Sequence, residues 1–246
     1  AHASTTQLAS FFPNAKMAGL LMNAEIENAK KVLLHAERPF TAIVGGAKVS
    51  DKILIVENLL NLADHIVIGG GMAYTFFKAL GGHIGNSLCE TERLDTCLEI
   101  LNKAKTKGVQ IHLPIDAIAA DRFAADANTQ IEPSNAISED RMGLDIGPKA
   151  IADFEAVLLQ SKTILWNGPM GVFEMPAFEN GTKSMALAVA SATKNGAFSL
   201  IGGGDSAAAV QKFELSSQVS YVSTGGGALL EYFEGKVLPG VEALEA

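Results

Sequence analysis

No apolar run in this chain approaches the ~18 residues that a membrane-spanning helix needs. The most apolar stretches, Ile53–Val56 and Ile66–Ile68, are strand- or core-helix-sized. Basic residues never cluster into a block, and the net charge is −8. Duplex nucleic acid, which demands a basic face, is therefore not expected as a partner. Cysteine is scarce. Cys89 and Cys97 stand with seven residues between them, which is neither a zinc spacing nor a disulfide framework. A reducing, cytoplasmic setting is the expectation. The five histidines (His2, His35, His65, His83 and His112) are scattered, and none pairs with a cysteine or carboxylate at ligand spacing. Histidine catalysis is not expected. There is no G-x-S-x-G elbow for a hydrolase and no G-x-x-x-x-G-K-[ST] loop. The opening Ala1-His2-Ala3-Ser4-Thr5 carries no initiating methionine and no signal-peptide pattern.

Glycine is abundant, and it is placed at strand ends. Three triplets, Gly69-Gly70-Gly71, Gly202-Gly203-Gly204 and Gly225-Gly226-Gly227, each follow an apolar run and lead into a helix-like segment. Gly45-Gly46-Ala47-Lys48 has the same placement and adds a lysine. A strand-to-helix turn without side chains lets a phosphate reach backbone N–H groups and the positive end of the helix dipole. Four such turns in one chain point to a nucleotide or another polyphosphate.

The pattern along the chain is strand, turn, helix. Residues 15–34 read as one helix, started by Pro13-Asn14 and stopped by Arg38-Pro39, and look like a connector. Apolar strands are expected at Phe40–Val44, His65–Ile68, Val109–Leu113, Thr163–Trp166, Phe198–Ile201 and Val219–Val222. Helices are expected at Ser50–Leu62, Met72–Leu80, Glu92–Lys107, Pro148–Gln160, Ala177–Lys194, Ser206–Phe213 and Ala228–Phe233. Asp116–Arg141 reads as an irregular polar excursion. The mean hydropathy of +0.22 agrees with a sheet buried on both faces. The fold class is α/β: a three-layer α/β/α domain with a six-stranded parallel sheet, Rossmann-like, with ligands at the carboxyl ends of the strands. The expected division is 1–38 as connector, 39–234 as the main domain and 235–246 as a tail.

Several segments carry candidate chemistry. Gly202-Gly203-Gly204-Asp205-Ser206-Ala207 contains G-x-G-x-x-A, a loose dinucleotide fingerprint, but the acidic partner due about 20 residues on is not clear. Asp205 either caps a helix or holds Mg²⁺ while neighbouring amides hold phosphates. Lys48 and Lys52 stand four apart, which on a helix puts both ammonium groups on one face. They make an ordinary solvated face, with Asp51 as counter-charge, or a site for an anion. Trp166–Glu174 is either a structural turn or the wall of an adenosine pocket, with apolar groups facing the base and Glu174 facing the ribose.

Taken together, these segments resemble phosphoglycerate kinases. The resemblance rests on Gly45-Gly46-Ala47-Lys48-Val49-Ser50-Asp51-Lys52-Ile53, Gly69–Phe76, Met142–Pro148, Trp166–Glu174, Gly202–Ser206 and Ser223–Ala228, in order over nearly the whole chain, with Leu238–Val241 similar to the family's C-terminus. It implies phosphoryl transfer between 1,3-bisphosphoglycerate and MgADP in glycolysis, by a monomer with two facing α/β domains. This chain matches the nucleotide-binding half, the interdomain helix and a short end of the substrate-binding half. The family usually has His-Arg before Ala-His-Ala-Ser, so the start at Ala1 is expected to mark a proteolytic or engineered fragment, cut after that arginine, that turns over little or nothing alone. By resemblance, Lys52 follows the transferring phosphoryl group, Lys48 helps neutralise it, and Gly225–Gly227 face it. Asp205 holds Mg²⁺, with Gly203, Gly204 and Ser206 at the phosphates of ATP or ADP and Asn167 nearby. Glu174 binds the ribose, and Ala47, Gly70, Gly71 and Gly143 line the adenine slot. 3-Phosphoglycerate is expected on the absent half. A non-catalytic nucleotide-binding module and an NAD-dependent oxidoreductase remain as alternatives.

Overall fold

The computed structural model describes residues 2–245; Ala1 and Ala246, the outermost residues of the expected connector and tail, lie outside the described residues. After a π-helical turn (Ala3–Gln7) and a 3₁₀ turn (Leu8–Phe11) come α1 (Leu20–Leu33), β1 (Phe40–Val44), α2 (Ile53–Leu59), β2 (His65–Ile68), α3 (Met72–Ala79), β3 (His83–Ile84), α4 (Leu94–Lys107) and β4 (Gln110–His112). β5 (Asp116–Ala120), β6 (Thr129–Pro133), β7 (Ala136–Ile137) and β8 (Met142–Ile146) follow. The chain then runs through α5 (Pro148–Gln160), β9 (Thr163–Asn167), α6 (Asn180–Lys194), β10 (Phe198–Ile201), α7 (Gly204–Lys212), β11 (Tyr221–Val222), α8 (Gly227–Phe233) and α9 (Pro239–Glu245).

The central sheet has six strands in the order β11-β10-β9-β1-β2-β4, and every pairing in it is parallel. Counting only these strands, the order is that of the doubly wound dinucleotide-binding folds. The three-layer architecture follows from side-chain alternation along strands that are apolar on both faces. Phe40, Ala42 and Val44 of β1, Leu165 of β9 and Leu200 of β10 join one core with α1, α2, α3, α4 and α8. Ile43, Ile164, Trp166 and Ile201 enter the other core with α5, α6 and α7. No helix among the described residues is long and apolar enough to cross a membrane.

Where connections leave β1 to either side, between β1 and β9, the strand order reverses. Backbone approach there is close. Gly168 has φ +100°, and a Cβ on it would lie 2.2 Å from the Gly45 carbonyl oxygen. Only glycine fits. Because the sheet is parallel, the turns at Gly45-Gly46, Gly69–Gly71, Gly168, Gly202–Gly204 and Gly225–Gly227 all emerge on one edge.

Some expectations are corrected. Asp116–Arg141 is not irregular: β6-β5-β8 form an antiparallel sheet, and β3 pairs with β7. Most of its polar residues are exposed, although Asp116, Glu132 and Ser134 are buried, so no clean alternation marked the pairing. The first long helix begins at Leu20, since Gly19 is extended (φ −66°, ψ 162°). α2 begins at Ile53, so Lys48 and Lys52 both precede it and do not share a helix face. α1 buries Ala29 and Val32 in the first core and leaves Leu20 and Leu21 exposed. α9 packs on the turns Ala3–Gln7 and Leu8–Phe11.

His65 Nδ1 and His112 Nε2 lie 3.1 Å apart on neighbouring strands. Burial, and then the neighbouring His65, push the His112 imidazole below its ordinary value, with Asp153 opposing. The unfolded chain therefore takes up this proton first as pH falls. The stability cost begins as pH drops through about 6.5 and is complete below the lower folded value. We expect the thermal midpoint to fall between about pH 7.5 and 5.5, and less so in His112→Gln, in which the titrating ring is gone.

Candidate functional site

At the reversal point the strand-end turns enclose a cleft of about 480 Å³. Its floor is backbone: Gly46 and Ala47 after β1, Gly70 and Gly71 after β2, and Pro169 and Gly171 after β9. Gly143 and Leu144 of β8, Glu174 and Asp205 also line it. Gly71 packs so near Ala47 that a Cβ on it would lie 3.0 Å from the Ala47 carbonyl oxygen. A planar group can slide between such surfaces where a branched side chain cannot.

Beside this cleft stands the charged cluster. The Lys52 ammonium donates to Asn167 Oδ1. Asn167 Nδ2 in turn donates to the Gly202 carbonyl at 2.8 Å, which fixes the amide's orientation. Burial pushes the Lys52 ammonium below the ordinary lysine range, while Asp205, Asp51 and Glu234 work the other way. A half-buried cation interacts with an arriving anion more strongly than a fully solvated one. Asp205 is exposed in the first turn of α7. The first intrahelical bond there is Ala207 N–H to Gly203 O, at 3.1 Å. The amides before it have no partner from within the helix.

The expected residues distribute as follows. Ala47, Gly70, Gly71, Gly143, Glu174 and Asp205 line the cleft. Lys52, Asn167 and Gly203 meet beside it, a Cβ on Gly203 falling 2.5 Å from Asn167 Nδ2. Gly204 opens α7. The Ser206 side chain is buried and accepts the Gly168 amide at 2.6 Å, so its hydroxyl braces the β9 turn. Lys48 is exposed, and its charge falls on Glu90. Gly225 lies on the same sheet edge but lines a separate apolar cavity of about 290 Å³ with Glu25 and Ile26. Gly226 (φ +52°) lines neither. Trp166 is no pocket wall. It is fully buried in the second core, and its indole N–H donates to the Gly168 carbonyl at 2.8 Å.

Three residues that sequence reasoning missed border the cleft: Asn86, Leu88 and Phe123. Leu88 and Phe123 are exposed at 48% and 59%, an unusual cost for apolar groups unless something covers them. Asp145 was also missed as a brace. Its carboxylate accepts the Gly181 amide at 2.7 Å and the Ile146 amide at 2.9 Å. Burial raises it to about 7. Gly171 of the cleft packs against it.

The donor set fits Mg²⁺ in one particular way. Among the described residues no three His, Cys, Asp or Glu side chains gather to hold a metal. Of the two carboxylates in the cleft lining, Glu174 and Asp205, it is Asp205 that lies in the first turn of α7 beside bare amides. One carboxylate plus substrate phosphates is how Mg²⁺ is commonly held. The G-x-G-x-x-A pattern follows β10, whereas a dinucleotide fingerprint belongs to the first βα turn.

A model of the phosphoglycerate kinase family matches residues 1–236. The chain is 54% identical over 246 residues to the phosphoglycerate kinase of Porphyromonas gingivalis, covering 100% of this chain and 59% of the relative. It is 51% identical over 245 residues to that of Dictyoglomus turgidum, covering 100% of this chain and 61% of the relative. The solved structure of phosphoglycerate kinase from Coxiella burnetii superposes with a TM-score of 0.93 at 45% identity, over 99% of this chain and 61% of that one. The chain thus spans about three fifths of the length of the curated relatives it matches.

Proposed function

The chain belongs to the phosphoglycerate kinase family, and on that premise we propose that it forms the nucleotide-binding half of an enzyme that moves a phosphoryl group between 1,3-bisphosphoglycerate and MgADP, and in reverse between MgATP and 3-phosphoglycerate. One observation carries this reading: glycine turns from four parallel strands, one half-buried lysine and one exposed aspartate converge at the point where the strand order reverses. The acyl phosphate substrate is held outside this chain, which alone turns over little. A cytoplasmic monomer fits this role.

Phosphoryl transfer needs alignment and charge neutralisation more than a covalent protein group. Ala47, Gly70, Gly71 and Gly143 make the thin slot for adenine, which Leu88 and Phe123 cover at the mouth. Glu174 accepts the ribose hydroxyls. Gly203, Gly204 and the first amides of α7 receive the phosphates at the positive end of the helix dipole. Asp205 holds Mg²⁺, which when bound neutralises phosphate charge. Lys52, steered by Asn167, meets the transferring group as its negative charge spreads over the equatorial oxygens. Lys48 adds a second positive charge at longer range. Gly225 and Gly226, on the same edge, face the acceptor side.

Calorimetric titration tests this. MgADP is expected to bind at a single site and NADH to give no heat. In Asp205→Asn the affinity for MgADP should fall about tenfold, the scale of one lost contact between charged groups, and should no longer depend on Mg²⁺. A chain that took NADH and ignored MgADP would sink the reading.

A further inference from the structure

The turn that carries both lysines has no regular structure of its own. β1 ends at Val44 and α2 begins at Ile53. A lysine ammonium rides on a flexible four-carbon stem, so its place depends on the backbone beneath it. Midway between Lys48 and Lys52, Ser50 is gripped by a carboxylate from a distant part of the chain. The Ser50 amide donates to Glu90 Oε2 at 2.9 Å, and the Ser50 hydroxyl donates to Glu90 Oε1 at 2.6 Å. Partial burial acts to raise the Glu90 carboxyl. The Ser50 hydroxyl, the Ser50 and Val49 amides and the Lys48 charge outweigh it and hold the group below the usual range. Glu90 is itself anchored, its amide donating to Thr75 Oγ1 of α3 at 3.2 Å.

The same short strap touches the cleft. Leu88 lines it, and the Ser87 hydroxyl accepts the Gly143 amide at 2.9 Å. Ser87–Glu90 therefore holds the adenine side of the cleft with one end and the lysine turn with the other. None of the steps above uses Glu90.

We propose that Glu90 is a positioning residue: through its paired bonds to Ser50 it sets the Lys48–Lys52 turn, so that the Lys52 ammonium is in place for the phosphates of a nucleoside triphosphate. This rests on the nucleotide reading above. Fixing the turn in advance removes an ordering cost from phosphate binding and leaves the adenine slot alone.

The test titrates the chain separately with MgATP and with adenosine, followed by NMR. In Glu90→Ala both bonds to Ser50 are lost, and MgATP affinity should fall about tenfold while adenosine affinity stays within about twofold. Ser50→Ala removes only the hydroxyl bond and should weaken MgATP in the same direction, by about threefold. If Glu90→Ala does not fold, Ser50→Ala decides alone. Unchanged MgATP affinity in the folded variants would overturn the proposal. So would an equal loss for adenosine, since Glu90 would then be holding the whole cleft. A wild-type chain that binds neither compound would instead overturn the nucleotide reading itself.

Discussion

On the proposed function, Lys52→Met in the full-length protein is expected to lower phosphoryl transfer by about 10²–10³-fold, the effect of removing one preorganised charge from a transition state. Affinity for MgATP should weaken far less, because the adenine slot and the α7 amides are untouched. The reason lies in how Lys52 is held. Its ammonium is half-buried and tied to Asn167, which is tied in turn to the Gly202 carbonyl. In the proposed reaction that cation is already partly desolvated and aimed before charge develops on the transferring group, so little reorganisation is needed. Lys52→Arg should not restore the rate, since a planar guanidinium fork does not fit the single Asn167 acceptor as an ammonium does. Steady-state kinetics with both substrates varied reads the split. A fall in kcat/KM carried by kcat supports a role in the transition state, and one carried by KM for MgATP argues for simple binding. A non-catalytic nucleotide module would show no rate to lose.

Gly168→Ala, beneath the cleft, is expected to be strongly destabilising. Its φ of +100° is strained for any L side chain, and the added carbon would meet the Gly45 carbonyl oxygen at 2.2 Å and its carbonyl carbon at 2.5 Å. Both obstacles are backbone of the sheet's centre and cannot rotate away. Strain at such a dihedral costs of order 1–3 kcal/mol, and overpacking about as much again. For a domain of this size, ~3 kcal/mol corresponds to a thermal midpoint lower by roughly 10 °C. A backbone shift that relieved the clash would also pull the residue 168 amide away from the Ser206 hydroxyl at the start of α7. MgADP binding should fall together with the midpoint. Thermal unfolding with and without MgADP checks both. A midpoint within a degree or two of wild type would mean that β1 and β9 separate here more easily than their packing indicates.

The four central parallel strands were legible because each is a short apolar run soon followed by glycine, and strands buried on both faces leave that signature, whereas the edge strands β4 and β11 are shorter than the expected Val109–Leu113 and Val219–Val222. Phe40–Val44, His65–Ile68 and Phe198–Ile201 match the observed bounds residue for residue. β5, β6 and β8 were not legible. Thr129–Pro133 is mostly exposed, and alternation over so few residues is weak. Missing that sheet hid Phe123, which lies in the turn between β5 and β6 and reaches the cleft. Lys52, Asp205 and the glycine turns could be found from local pattern, since each lies between the end of a strand and the first turn of the next helix. Asn86 and Leu88 could not, because only tertiary folding brings that strap across the cleft. Trp166 misled in a different way. Its position beside a Gly/Pro turn looked functional, yet strand alternation sends it into the core, and the next residue, Asn167, is the one that meets Lys52.

The pairing of β1 with β9 joins residues as far apart in sequence as Phe40 and Thr163. During synthesis, β1 emerges long before its neighbour exists, with one edge bare and its apolar faces half covered. Contacts of such long range form slowly. The floor of the cleft, which straddles this seam, is therefore completed late, after the layers on either side have begun to consolidate. A ribosome that stalled before Thr163 would display an open strand edge of the kind that invites association between nascent chains.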